Sequence, residues 1–218
     1  LGDVYKRQVG RKLAEKIGYK FISTGKMYRA VAWLCIEKGV DVNDEEKVVN
    51  LAKNNPVEFI FTDSVEPILV INGKKLDREL YSEDVAEKTS RIARIKTLRE
   101  FMVGEQRKIG KDGRIVMEGR DITTNVFPDA ELKIYLDASP QARAQRRVNQ
   151  LRQEGIENVD YNEILEMIIK RDEQDSTRKY NPLSKSPNSI YIDTTSMSEN
   201  EVVEKILNLY KEIISKSL

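Results

Sequence analysis

Arg114-Ile115-Val116-Met117-Glu118-Gly119-Arg120-Asp121 is the stretch on which the reading of this chain turns. Its apolar centre is a short run of the kind buried in parallel sheets. Gly119 follows, and then an Arg-Asp pair at the place where the strand's carboxyl end would lie. Open α/β sheets bind their ligands there. An arginine suits a phosphate, and an aspartate suits a base amino group or a hydroxyl. The same pair also reads as an ordinary loop salt bridge.

Outward from this stretch, strands and helices alternate. Upstream, residues 9–17 read as a helix ending at Gly18, 19–22 as a strand, and 26–38 as a helix stopped by Gly39. A short charged helix at 44–54 is closed by Pro56. Segments 57–61 and 68–71 are β-rich, and Asn72-Gly73 before Lys74-Lys75-Leu76 is a strong hairpin signal. Helices at about 82–95 and 97–109 lead back to the opening strand.

Downstream, 132–136 is a second buried-type strand running into Asp137-Ala138-Ser139-Pro140, with Ser139 placed to cap a long helix and Pro140 at its first position. A helix at about 160–178 breaks before Pro182, and 190–192 is a last strand. Ser198-Glu199-Asn200-Glu201 is a capping box opening the final helix, whose Val202, Ile206, Leu209, Tyr210 and Ile213 share a stripe. The expected class is α/β: a parallel sheet covered by helices on both faces, with a small antiparallel β insert.

At 218 residues and 25.1 kDa the chain is one ordinary domain, or one with a modest insertion. Lys and Arg number 37 and Asp and Glu 36, so an anion site must be a local cluster rather than a basic coat. Histidine is absent and Cys35 is the one cysteine, which excludes a Ser-His-Asp or Cys-His nucleophile, an intramolecular disulfide and a His/Cys zinc site. Cys35 sits in the apolar run 31–36 and reads as core. No apolar run approaches a membrane span and the start has no signal-peptide core, so a soluble, cytoplasmic protein is expected. Chemistry would rest on carboxylates, arginines, lysines, hydroxyls and a hard cation.

Four further groups stand out. Ser23-Thr24-Gly25-Lys26-Met27-Tyr28-Arg29 is a strand end turning into a helix, where backbone amides and Arg29 favour an anion; an ordinary N-cap with a surface arginine fits equally. Arg171, Asp175 and Arg178 fall at i, i+4 and i+7 on one helix face, as a clamp for a phosphorylated sugar or as a solvated salt-bridged face. Arg143, Arg146 and Arg147 cluster on the helix after Pro140, with few carboxylates before Glu154, which favours an anionic ligand. Ser90 and Arg99, on the two helices after the hairpin, carry no local mark of function.

Together these segments resemble the bacterial cytidylate kinases, P-loop kinases that move the γ-phosphoryl group of ATP onto CMP or dCMP. The likeness covers about residues 9–218. It rests on Arg11 to Gly18, the 23–29 turn, the hairpin insert, Gly119-Arg120-Asp121, Phe127-Pro128-Asp129-Ala130, Tyr135-Leu136-Asp137-Ala138-Ser139, Arg171-Asp172, Asp175 to Arg178, and Pro182-Leu183.

The resemblance implies a P-loop type parallel sheet in a single nucleotide kinase domain over 1–218, with a nucleotide-monophosphate-binding insert at 40–110 and a short helical lid at 140–180. It places Thr24 and Arg29 at the monophosphate site, with Ser90, Arg99 and Asp121 on the cytosine edge. Arg120 and Arg178 would hold the attacked phosphate, and Asp175, steadied by Arg171, the sugar hydroxyls. Arg143, Arg146 and Arg147 would form the lid over ATP, with Arg147 among the catalytic arginines beside Arg120 and Arg178. Implied too are Mg²⁺ arriving with ATP, no metal ligands of the chain's own, no nucleic-acid or membrane partner, and a monomer. Such transfer rests on positioning and charge neutralisation and needs no histidine.

Two features depart from the family pattern. Ser23 stands where an aspartate is usual. Ahead of its first helix the family has an apolar strand and a glycine-rich G-x-x-x-x-G-K-[ST]-like loop, where this chain has Leu1-Gly2-Asp3-Val4-Tyr5-Lys6-Arg7-Gln8. Lys6 falls in the register of the loop's lysine, the cofactor-binding position. Residues 1–8 are therefore expected to be a truncation or junction rather than the native start, leaving a gap in the sheet. Two other readings remain: a remnant that binds CMP without turnover, and a P-loop kinase for a different small acceptor.

Overall fold

The computed structural model describes residues 3–177, 179 and 183–217. In chain order the elements are α1 (Asp3–Ile17), β1 (Lys20–Ser23), α2 (Thr24–Glu37), α3 (Glu45–Asn54), β2 (Val57–Ile60), β3 (Ile68–Ile71) and β4 (Lys74–Leu76). A 3₁₀ turn (Arg78–Tyr81) precedes α4 (Glu83–Ile92), α5 (Lys96–Ile109) and β5 (Ile115–Glu118). A π-type turn (Ile122–Val126) leads to β6 (Ile134–Asp137), α6 (Pro140–Gln153), α7 (Tyr161–Ser176), β7 (Ile190–Asp193) and α8 (Glu199–Ser217). The chain divides into two compact units, Ala14–Gly119 and Leu1–Leu13 with Arg120–Leu218.

The Ala14–Gly119 unit is built around α2. Its apolar run buries Met27, Tyr28 and everything from Ala30 to Cys35, and a helix apolar all round is a core helix. Ile71, Leu80, Ile92, Leu98 and Met102 close around it. Cys35 is part of this core, and burial pushes its thiol up to about 11. The hairpin forms as expected: Asn72 and Gly73 have φ of 51° and 74°, the left-handed pair that a type I′ turn needs, and Ile71 faces Lys74 across it. β2, β3 and β4 make a three-stranded antiparallel sheet.

Parallel pairing occurs as β1–β5 in this unit and β6–β7 in the other. The parallel strands of the expected α/β class are present as two pairs, in keeping with the gap expected where residues 1–8 supply no strand. Residues 3–8 add no strand to either; they form the first turns of α1, which begins at Asp3 rather than at residue 9. The segment contains neither glycine nor proline to break a helix, and the Tyr5 hydroxyl donates to the Met197 carbonyl at 3.1 Å. β5 and β6 are correspondingly half-buried along their lengths, not enclosed as their apolar sequences suggest. The outer edge of β1 is covered by the 62–66 loop: Phe21 donates its amide to Val65 (2.9 Å), Lys20 Nζ reaches the Ser64 carbonyl (2.9 Å), and Lys26 pairs with Glu66 (2.6 Å).

In the second unit, Ala144 and Val148 of α6 pack on Ile164 and Ile168 of α7. The expected caps are present. Ser139 accepts the Ala142 amide at 3.1 Å with Pro140 behind it, and Ser198 and Glu201 exchange bonds in a reciprocal box at 2.8 and 3.3 Å. The Ser198 amide and hydroxyl, both donating to it, hold the Glu201 carboxyl below its usual range. Among the described residues no helix is long and apolar enough to cross a membrane.

Candidate active site

The Arg120–Leu218 unit, with the first residues of α1, encloses a cavity of about 240 Å³. Among the described residues its lining holds five cationic side chains (Lys6, Arg120, Arg143, Arg146 and Arg171) against three carboxylates (Asp137, Asp172 and Asp175), an excess of two positive charges in a partly enclosed space. Such an excess strengthens attraction for an anion as solvent is excluded.

Asp175 is the pivot. It is 3% exposed, projects from α7, and takes the Arg120 guanidinium through Nε. Arg171 Nε, one turn earlier on the same helix, lies 4.0 Å from the same carboxylate oxygen. The i, i+4 spacing places Arg171 and Asp175 together as the sequence indicates, and Arg120, two residues beyond β5, joins them from 55 positions away. Arg178, expected to complete this group, lies outside the described residues.

The three arginines of α6 separate into different environments. Arg143 forms a fork on Asp172, at 2.9 and 2.5 Å, and donates Nε to the Ala138 carbonyl at 3.0 Å. Arg146 donates to the Thr194 and Met197 carbonyls and lies 3.8 Å from the Tyr5 ring centre. Arg147 does not line the cavity; it donates to Gln150 at 2.9 Å, its Nε is buried without a hydrogen-bond partner, and burial lowers its pKa. Without a ligand, the three arginines expected to share an anion each meet different partners. An i, i+3, i+4 set spans a wide arc of helix surface, and neighbouring elements share it out.

Lys6 does reach the cavity lining, but from α1, so it rides on a helix instead of sitting in a loop. Tyr135, also in the lining, has its hydroxyl pKa raised by burial and then by Asp137 and Asp172. Asp121 is buried, and its carbonyl accepts the Asn125 and Val126 amides of the π-type turn. Asp172 and Tyr135 were not singled out as ligand-facing residues; the Arg171-Asp172 pair held the one available signal, a carboxylate next to a candidate arginine.

The other candidates belong to the Ala14–Gly119 unit. Ser23 and Thr24 are buried at the carboxyl ends of β1 and β5, where Ser23 Oγ donates to Glu118 Oε1 at 2.6 Å and Thr24 Oγ1 to the Glu118 carbonyl at 3.0 Å. Arg29 donates to the Leu80 carbonyl at 3.0 Å. Arg99 is 3% exposed, unusual for an arginine; it donates to the Ala93 carbonyl at 3.0 Å and lies 5.7 Å from the Tyr28 ring centre. Ser90 is exposed on α4. Of the set expected on a cytosine edge, Ser90 and Arg99 belong to this unit and Asp121 to the other.

No group of three or more His, Cys, Asp or Glu side chains among the described residues is placed to hold a metal ion. Mg²⁺ is compatible with that, because it takes one or two carboxylates and fills its octahedron with water and phosphate oxygens.

A family model described as "Cytidylate kinase" matches residues 5–212. The chain belongs to the cytidylate kinase family. It is 38% identical over 208 residues to the cytidylate kinase of Alkaliphilus oremlandii, covering 95% of this chain and 93% of that protein. It is 37% identical over 203 residues to the cytidylate kinase of Clostridioides difficile, covering 93% and 91%. A bifunctional pantoate ligase/cytidylate kinase of Prochlorococcus marinus is 41% identical over 211 residues, 97% of this chain but 41% of that protein. The chain thus spans about two-fifths of the length of the bifunctional relatives and nearly the whole of the cytidylate kinases. Membership of the cytidylate kinase family accords with the hairpin sheet, the parallel strand pairs and an arginine-lined cavity within one chain.

Proposed function

We propose that this chain transfers the γ-phosphoryl group of ATP to CMP or dCMP, giving ADP and CDP or dCDP. The observation that carries the reading is the cavity whose described lining has two more cations than carboxylates, with Asp175 set between Arg120 and Arg171. A sugar hydroxyl satisfies a buried carboxylate of this kind, and a phosphate replaces it on the guanidinium groups. In this reading Arg120, Arg178 and Arg147 carry the transferring phosphoryl group, Asp175 and Arg171 the sugar, and Arg143, Arg146 and Lys6 the ATP phosphates. Thr24 and Arg29 take the acceptor phosphate, and Ser90, Arg99 and Asp121 the base. Segment 40–110 is the acceptor-binding insert and 140–180 the lid. Mg²⁺ arriving with ATP would supply further charge neutralisation on the phosphates. The reading carries with it a cytoplasmic monomer of pyrimidine nucleotide metabolism, without nucleic-acid or membrane partners.

The test is ADP release by the full chain with CMP, dCMP, UMP and AMP as acceptors, alongside calorimetric titration of CMP and ATP. Transfer to CMP or dCMP at least tenfold faster than to UMP or AMP is the expected result. CMP binding with no transfer to any acceptor overturns the enzymatic reading, and a preference for AMP or UMP overturns the acceptor.

A further inference from the structure

Arg29 meets the short 3₁₀ turn Arg78–Tyr81 at both Leu80 and Tyr81. Nη1 donates to the Leu80 carbonyl at 3.0 Å, and the guanidinium carbon lies 5.5 Å from the Tyr81 ring centre. The two residues of that turn have opposite settings. Leu80 is fully buried in the core around α2 and anchors the turn; Tyr81, next to it, is 42% exposed. That exposure leaves a ring face open, and the Arg29 guanidinium lies over it. Arg99 is held in the same manner, by the Tyr28 ring at 5.7 Å and the Ala93 carbonyl at 3.0 Å. The construction thus occurs at both arginines that the proposed function places on the acceptor nucleotide in this unit.

We propose that Tyr81 is a positioning residue for the acceptor's phosphate. Its ring face, together with the Leu80 carbonyl, keeps the Arg29 guanidinium in one orientation before the nucleotide arrives. An unheld arginine loses rotamer freedom when it takes up a phosphate; one already set against a ring and a carbonyl loses less, and the saving appears as affinity. The electrostatic part of the contact needs a π face, which phenylalanine supplies and leucine does not. The inference rests on reading Arg29 as the residue that meets the acceptor's phosphate.

The experiment is calorimetric titration of CMP, and separately of cytidine, into the full chain and its Tyr81→Phe, Tyr81→Leu, Tyr81→Ala and Arg29→Ala variants, with folding checked by circular dichroism. Tyr81→Ala and Tyr81→Leu should each weaken CMP binding about three- to tenfold, with Tyr81→Phe within about twofold of the parent. Cytidine, which lacks the phosphate, should bind all the Tyr81 variants alike; a merely structural role would disturb both ligands together. Added to Arg29→Ala, Tyr81→Ala should cost nothing further. Parent-like CMP binding by Tyr81→Leu, equal losses for cytidine and CMP, or a full additive loss in the double variant would each overturn the proposal. If Arg29→Ala leaves CMP binding unchanged, the assignment of Arg29 fails and this proposal falls with it. If Arg29→Ala weakens binding and Tyr81→Ala does not, the proposal about Tyr81 fails alone.

Discussion

Two strand-to-helix junctions carry a serine in the same position and use it differently. At the end of β1, Ser23 stands at the N-cap of α2, but its hydroxyl donates to Glu118 and caps nothing. After β6, Ser139 holds that place ahead of α6, and its hydroxyl accepts the Ala142 amide. The helices explain the difference. α2 buries nine of its residues, from Thr24 to Cys35, while α6 buries only Ala144 and Val148. Packing holds α2 in place, so its first amides need no side-chain partner from Ser23 and remain where the proposed reading puts the acceptor nucleotide. α6, polar along most of its length, depends on how its ends are tied.

The largest expected effect breaks the packing side of that contrast. Leu34 is 2% exposed on α2, and Leu34→Ala should lower the unfolding free energy by about 3 kcal/mol, measured by urea denaturation at neutral pH. A loss below about 1 kcal/mol would mean that α2 is not held by its core, and the account of its uncapped start would go.

What could be read from sequence divides along the same line. Signals lying within a few residues were legible: Asn72-Gly73, the Ser139-Pro140 start of α6, the Ser198–Glu201 box, and Arg171 with Asp175 one helical turn apart. Each is fixed by local backbone geometry, which periodicity and turn chemistry report directly. Contacts between distant segments were not. Arg120 with Asp175, Arg143 with Asp172, Arg29 with Tyr81 and Arg146 with the Thr194 carbonyl depend on how elements pack, and helical spacing says only which face a side chain leaves. Ser23 shows the limit well. Its position marks it as an N-cap, yet the parallel register that sets it opposite Glu118 decides which bond its hydroxyl makes.

A substitution at that serine sharpens the contrast from the other side. Ser23→Asp would place a second carboxylate beside Glu118, where the serine hydroxyl now lies 2.6 Å from Oε1. At neutral pH the like charges should lower stability by about 2 kcal/mol, a partly buried pair at short range. The sign with pH follows. Repulsion raises the pair's folded-state pKa above its unfolded value, so the folded form takes up a proton more readily. The penalty is present in full above the raised pKa and is relieved as pH falls through it. Thermal unfolding of Ser23→Asp against the parent, from pH 8 to pH 4.5, should show the gap narrowing toward acid. A gap constant across that range would mean that the two carboxylates do not interact.

The smallest expected effect compares the serines themselves. Ser139→Ala removes the acceptor for the Ala142 amide at the start of a helix with only two fully buried residues, and should lower stability by about 1 kcal/mol. Ser23→Ala removes a donor from Glu118, which is half-buried and within reach of water, so the loss should stay near 0.5 kcal/mol. Both are resolved by paired urea titrations. The ordering matters more than either value. If Ser23→Ala costs more than Ser139→Ala, the hydroxyl at β1 is structural after all, and the start of α2 is held by the Ser23–Glu118 bond and not by the core beneath it.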